Sequence, residues 1–186
     1  MYGIVLPTRK HQPLTVILIV ILIVIFLIIN ILIQTGHQAF VSTRFVNIAG
    51  VATPGFLIAN ISHLNPWHLL ANLSAFFMLG TMAETLLSRK SYCLLLLTSA
   101  LATSSVVWVF SSGITLGFSG VNMGLLAWYF FAHARHNSWE NQQFLSMLII
   151  NIAIGLIPGI SFAGHLGGAL GGTARRWFHK QSRRLF

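Results

Sequence analysis

From Leu14 to Ile33 the chain runs through an almost unbroken stretch of Ile, Leu, Val and Phe, interrupted only by Thr15 and Asn30. About 20 apolar residues at 1.5 Å each match the hydrocarbon thickness of a bilayer. Lipid offers backbone N–H and C=O groups no partner, so such a segment has to satisfy them within itself, as a helix. A cleaved signal peptide has a shorter apolar core and ends at small residues. Gln34-Thr35-Gly36-His37 is a poor cleavage site, so the segment is expected to remain as a membrane span.

The rest of the chain has the same character. Hydrophobic residues make up 55% of the 186 and charged residues only 7%, too few to cover the surface of a soluble domain. Further apolar segments fall at 67–87, 92–110, 119–134, 144–159 and 161–178, separated by Ser88-Arg89-Lys90, Ser111-Ser112-Gly113, His136-Asn137-Ser138 and Pro158-Gly159. With 14–33 they predict an all-α integral membrane protein of six transmembrane helices. Several segments are short or carry Gly and Ser, which lipid tolerates only where neighbouring helices supply packing and hydrogen bonds. There is no evident linker and no fixed-period repeat, so residues 1–186 read as one domain. The single cysteine, Cys93, excludes an intramolecular disulfide.

Threading six spans through a membrane sorts the basic residues. Arg9, Lys10, Arg89, Lys90, Arg135, Arg175, Arg176, Lys180, Arg183 and Arg184 fall on one side and only Arg44 on the other, which predicts cytoplasmic termini. The net charge of +9 is then a matter of topology and anionic lipid headgroups. Nucleic-acid binding is not expected, because these residues are scattered over four segments rather than gathered in one stripe. The one long connection, 34–66, falls on the outer side. With Phe40, Phe45, Phe56 and the neighbouring Trp67, it is expected to lie partly in the membrane interface.

Polar residues at membrane depth are costly and point to function. His68 and Asn72, Ser119, and His165 each lie near the outer beginning of an apolar helix, hence at roughly one depth. Elimination narrows the chemistry. The chain contains no Asp, and its two acids are Glu84 and Glu140. Glu84 lies about 18 Å below Asn72 along a helix, too far to orient His165. A serine–histidine–carboxylate triad and an aspartyl dyad are therefore excluded. All three lysines, Lys10, Lys90 and Lys180, fall on the cytoplasmic side, which removes a serine–lysine pair. What remains is a dyad in which His165 takes the hydroxyl proton of Ser119 and returns it to a leaving amine. A metal held by His63, His68 and His165 would lack any carboxylate or thiol on the outer side, and no metal or cofactor is expected.

The glycines suit a dyad drawn from two helices. Gly164, Gly168 and Gly172 recur every fourth residue, as do Gly120 and Gly124, and small residues at this spacing let helix backbones approach closely. His68 and Asn72, four apart, share a helix face. With the unpaired backbone N–H of Ser119 in the first turn of its helix, they fit an oxyanion site.

These residues lie in the patterns His63-Leu-Asn-Pro-Trp-His68-Leu-Leu-Ala-Asn72, Gly117-Phe118-Ser119-Gly120 and Ala163-Gly164-His165-Leu-Gly-Gly168-Ala-Leu-Gly-Gly172. Over its whole length the chain resembles the rhomboid intramembrane serine proteases, in a minimal six-helix form. The resemblance implies Ser119 as nucleophile and His165 as base, with His68 and Asn72, beside Gly117 and Phe118, lining the oxyanion and substrate site. It implies structural roles for His63, for Gly120, Gly168 and Gly172, and for Glu84, expected to hold the outer-loop side of the fold by hydrogen bonding. Two departures stand out. The Trp-Arg pair that many rhomboids carry in the first outer loop is Pro54-Gly55 here, which removes the usual anchor of that loop. A Tyr that stacks on the catalytic histidine is Met123, and a thioether orients an imidazole less firmly.

The expected activity is cleavage of single-pass transmembrane proteins near the outer end of their membrane helix, after a small residue. The fifth helix and the stretch 158–162 are expected to move aside to admit the substrate. The expected setting is a bacterial or archaeal cell membrane with the active site facing outward. Two other classes fit the sequence less well. An inactive rhomboid relative that only binds membrane proteins would normally have lost Ser119 or His165. A small transporter would show an inverted repeat or a charge near the midplane, and neither is visible.

Overall fold

The computed structural model describes residues 13–133, 139–157 and 159–182. Arg9, Lys10, Arg135, Arg183, Arg184 and Pro158, which enter the charge and substrate-admission expectations, lie outside the described residues. Six long helices dominate: α1 (Pro13–Gln34), α4 (Pro66–Leu86), α5 (Arg89–Phe110), α6 (Ser119–His133), α7 (Trp139–Ile154) and α8 (Phe162–Ser182). Two short helices, α2 (Gln38–Arg44) and α3 (Gly55–Ile58), and a 3-10 turn at Ala59–Ile61 fill the connection between α1 and α4. The same connection holds the two-residue strand β1 (Asn47–Ile48), which pairs antiparallel with β2 (Ile114–Thr115) in register Asn47↔Thr115 and Ile48↔Ile114. A strand pairing of this length leaves no periodicity in the sequence, and the all-α expectation did not include it.

Local sequence sets the boundaries. Asn65 caps α4, its Oδ1 accepting from the N–H groups of Trp67 at 2.8 Å and His68 at 3.2 Å, and Pro66 occupies the first turn, where no N–H is needed. Ser88 caps α5 through the Ser91 N–H, so this helix starts three residues before the apolar run expected at 92. The helix expected at 144–159 instead spans Trp139–Ile154, because the polar Trp139-Glu140-Asn141-Gln142-Gln143 stretch already follows the helical path and the chain tightens after Ile154.

Among the described residues α1, α4 and α5 are long and apolar enough to cross a membrane, and a shorter apolar helix covers Asn141–Ile154. Buried positions on α1 are only Thr15, Leu22 and Ile29, spaced by seven on the stripe that meets α4, while its other faces are open to lipid. α6 is the opposite case. All eight residues from 121 to 128 are buried, as expected of a short helix surrounded by α4, α5, α7 and α8. A 15-residue helix reaches about 22 Å, less than a full crossing, and is tolerable because its neighbours enclose it.

Backbone contact fixes how closely α6 and α8 pack. A Cβ added at Gly168 would run into the carbonyl group of Gly120 and lie 2.9 Å from its Cα, and one added at Gly172 would do the same at Gly124. On the other side of α6, Gly120 abuts Thr103 and Gly124 abuts Ser99, both on α5. Three helices thus meet at a seam in which the α5 side chains of Thr103 and Ser99 fill the space beside the glycines and no further Cβ fits.

Candidate active site

The seam brings the starts of α6 and α8 together at the same end of the bundle as the start of α4. A cavity of about 760 Å³ opens there, and its wall includes His68, Gly117, Ser119, Ser161 and Gly164. Ser119 is the first residue of α6 and half-buried. His165 lies one residue past Gly164, whose carbonyl oxygen is 2.9 Å from where a Gly120 Cβ would be. Ser119 and His165 are therefore the chain neighbours of the two glycines at one contact between their helices. His165 is 5% exposed and does not itself line the cavity.

Gly117 precedes Ser119 with φ at +124°, in the region that favours glycine. A Cβ there would also sit 2.7 Å from Cε1 of His68, so the residue is required by space as well as by conformation. Its N–H donates to the Ala59 carbonyl at 2.9 Å. The next N–H, of Phe118, donates to Nε2 of His63 at 3.3 Å. The Phe118 ring packs edge-on against Phe76 of α4, with centroids 4.7 Å apart. The approach to Ser119 is thus held by the first connection and by α4.

His63 is fully buried, and its ring stands edge-on to that of His68 at 5.2 Å. Accepting a bond at Nε2 requires a neutral ring, and burial, reinforced by nearby His68, pushes its pKa down to about 4. Its other nitrogen, Nδ1, is buried without a partner.

Asn72 is buried one turn beyond His68 and donates from Nδ2 to the His68 carbonyl at 3.0 Å. Asn122 of α6 donates in turn to the Asn72 carbonyl at 3.1 Å and to its Oδ1 at 3.2 Å. One of the two Nδ2 hydrogens of Asn72 is engaged by the His68 carbonyl, and the other is the donor that an oxyanion could use. Sequence reasoning missed Asn122, although an Asn three residues after Ser119 in an apolar helix was the visible signal.

The Nδ1 atom of His165 lies 2.6 Å from the backbone carbonyl oxygen of Asn151 on α7. A carbonyl only accepts, so Nδ1 carries the proton of this bond and the lone pair of the neutral ring sits on Nε2. Met123, expected beside the base, belongs to the hydrophobic core of the bundle. Ser161 caps α8 by accepting from the Gly164 N–H at 3.0 Å, and the Thr115 hydroxyl lies 3.4 Å from it.

Other hydrogen bonds anchor the loop in the absence of the Trp-Arg pair. Asn47 Nδ2 donates to the Ser104 carbonyl at 3.1 Å, and Asn60 Nδ2 donates to the Ser104 hydroxyl at 2.7 Å. Gly55, where that pair would end, lies so close to the Val46 carbonyl that a Cβ could not fit.

Glu84 is placed differently from the expectation attached to it. Its carboxylate meets the first turn of α1, at the end of the bundle opposite the cavity, so what it ties down is a helix start rather than the outer-loop side. Among the described residues no three His, Cys, Asp or Glu side chains are grouped to hold a metal ion.

The Rhomboid domain profile matches residues 52–182. A protein of Acanthamoeba polyphaga mimivirus whose name places it with the rhomboids is 28% identical over 137 residues, covering 63% of this chain and 70% of its own length. The matched span takes in the first connection from Ala52 onward, the cavity and all the helices that build it, and the chain is a membrane protein of the rhomboid family.

Proposed function

We propose that the chain is an intramembrane serine endopeptidase in which Ser119 is the nucleophile and His165 the base. The observation that carries this reading is the meeting of α6 and α8 at Gly120 and Gly164, which sets Ser119 and His165 on either side of one contact beside a cavity that His68 also lines. Attack by the Ser119 oxygen on a peptide carbonyl passes the hydroxyl proton to Nε2 of His165. The resulting oxyanion is met by His68, by the second Nδ2–H of Asn72, and by backbone N–H groups at the start of α6. His165 then returns the proton to the leaving amine, and water hydrolyses the acyl-enzyme by the same route in reverse.

Six helices cross or enter the bilayer in this reading, with both termini on the cytoplasmic side and the cavity facing outward in a bacterial or archaeal cell membrane. The substrates are single-pass membrane proteins. Family membership and the apolar α1, α4 and α5 support the membrane setting, and the distribution of basic residues supports the orientation.

The test is to incubate the purified protein in detergent or liposomes with a single-pass reporter substrate, beside Ser119→Ala. Fragments are expected from the parent protein alone. Equal cleavage by the variant overturns the assignment.

A further inference from the structure

The chain has no aspartate, and the one glutamate whose surroundings are described, Glu84, lies at the far end of the bundle, so among the described residues no carboxylate orients the imidazole of His165. Its partner is a main-chain group, the Asn151 carbonyl at 2.6 Å. In a regular helix that carbonyl would accept from the N–H of residue 155, four positions on. Here α7 tightens in its last turn. Gly155 N–H donates to Ile152 at 3.0 Å, Leu156 to Ala153 at 3.0 Å and Ile157 to Ile154 at 2.9 Å, each three residues back. The switch from four-residue to three-residue spacing releases the carbonyl of Asn151.

Gly155 also sets the distance between the helices. A Cβ at this position would lie 2.5 Å from the Cα and 2.8 Å from the N of Phe162, the first residue of α8, so only glycine allows the end of α7 to seat against the start of α8. One residue therefore both begins the tightened turn and permits the close approach that carries Asn151 to His165.

Resting on the reading of His165 as base, we propose that the backbone carbonyl of Asn151 is the positioning group of the dyad, released by the tightened end of α7 and brought to Nδ1 of His165 by Gly155. It holds the proton on Nδ1 and leaves Nε2 free to accept from Ser119, the role a carboxylate has in a triad. The base is then only as well aligned as α7 is seated.

The test replaces the amide between residues 151 and 152 by an ester, through incorporation of the α-hydroxy analogue of isoleucine at 152. This weakens the Asn151 carbonyl as an acceptor without changing any side chain. The same replacement at Ile150 removes one helix N–H and weakens a carbonyl that does not face His165, and serves as control. The 152 ester is expected to lower kcat about three- to ten-fold at unchanged KM, while the 150 ester stays near the parent. Equal kcat for the two esters overturns the proposal.

Nitrogen NMR of ¹⁵N-histidine protein, with His165 assigned by difference from His165→Asn, gives a readout independent of turnover. A neutral ring protonated at Nδ1 in the parent, with mixed tautomers in the 152 ester and in Gly155→Ala, supports the proposal. A parent ring protonated at Nε2 sinks it. If the parent shows the expected tautomer but no preparation cleaves any substrate, the protease reading fails while the positioning bond stands.

Discussion

Glu84 accepts two hydrogen bonds from Thr15, from the backbone N–H at 2.9 Å and from the hydroxyl at 2.6 Å, across 69 positions of sequence. The Leu14 N–H donates to the other carboxylate oxygen at 3.0 Å. Both N–H groups belong to the first turn of α1, where the helix supplies no partner and its dipole favours an anion. The Thr15 hydroxyl, its own proton engaged, accepts from Tyr92 at 2.9 Å, so α1, α4 and α5 are tied at one buried node.

Glu84→Gln should therefore destabilise the protein, because an amide nitrogen cannot accept and one α1 N–H or the Thr15 hydroxyl is left unmatched. The expected cost is about 1–3 kcal/mol, read from chaotrope unfolding in detergent. Any enzyme that stays folded should keep its kcat, since the node lies at the end opposite Ser119. A variant as stable as the parent would remove the node from the account of the fold.

Ser119→Ala and His165→Ala should each abolish cleavage with the fold intact, because a nucleophile and its base act as a unit. His68→Ala and Asn72→Ala should lower the rate on the order of 10–1000-fold. Asn122→Ala, which frees Asn72 from its tether, should affect kcat more than KM. Steady-state kinetics on a fluorogenic single-pass substrate measure all five. Silence of both oxyanion variants would leave that role to backbone N–H groups alone.

How much of this was legible in the sequence follows from what carries each feature. The long helices were legible because lipid forces apolar runs into helices, and the glycine seam because only small residues spaced by four let backbones meet. Ser119, His68 and His165 stood out as polar groups in apolar surroundings. The seating of His165 was not readable, since it depends on a backbone carbonyl that every residue possesses and on a change of helical spacing at Gly155. The β1–β2 pairing and the Asn47, Asn60 and Ser104 bonds join residues up to 68 positions apart, with nothing local to announce them. Glu84 lies on the expected helix but ties down the start of α1 rather than the outer-loop side, because two of its three partners are main-chain N–H groups that no sequence pattern marks.

His63 should make stability depend on pH. The unfolded chain takes up its proton near pH 6.5, whereas the folded chain resists until about 4. Between those values the unfolded state holds the extra proton. Stability contributed by this group is therefore full above about pH 6.5 and declines as pH falls toward 4, by on the order of 3 kcal/mol at most. His63→Gln keeps an acceptor for the Phe118 N–H without titrating, and should flatten this part of the profile. Unfolding midpoints at several pH values from 4 to 7 check it, and identical slopes in parent and variant would count against the buried neutral ring.

Adding a methyl group to the α6–α8 seam should separate the dyad. Gly168→Ala places a Cβ against the Gly120 carbonyl, where only backbone movement can relieve the overlap. The expected cost is about 1–3 kcal/mol, with a larger loss of activity than of stability, because the movement pulls His165 from Ser119. Leu170→Ala, at an exposed position of the same helix, is the control and should change activity little. Cleavage rates and unfolding midpoints of the two variants decide the matter, and a fully active Gly168→Ala would mean that the seam does not set the site.

Substrate choice follows from the same crowding. A peptide reaching Ser119 has to present a carbonyl that a stable helix keeps in its own hydrogen bonds, so the segment must unwind first. Gly in that segment lowers helix stability by about 1 kcal/mol relative to Ala, and Pro by about 3. Around Ser119, Gly117 lies against the His68 ring and Gly120 against the Gly164 carbonyl, contacts so close that not even a methyl group fits between them. The residue before the cut should therefore be Ala, Ser or another small one. Replacing it by Phe or Trp should block cleavage, and replacing helix-breaking residues just beyond it by Leu should slow cleavage. Mass spectrometry of the fragments from a substrate series checks both, and rates indifferent to both changes would show that neither unwinding nor the narrow wall of the cavity governs the reaction.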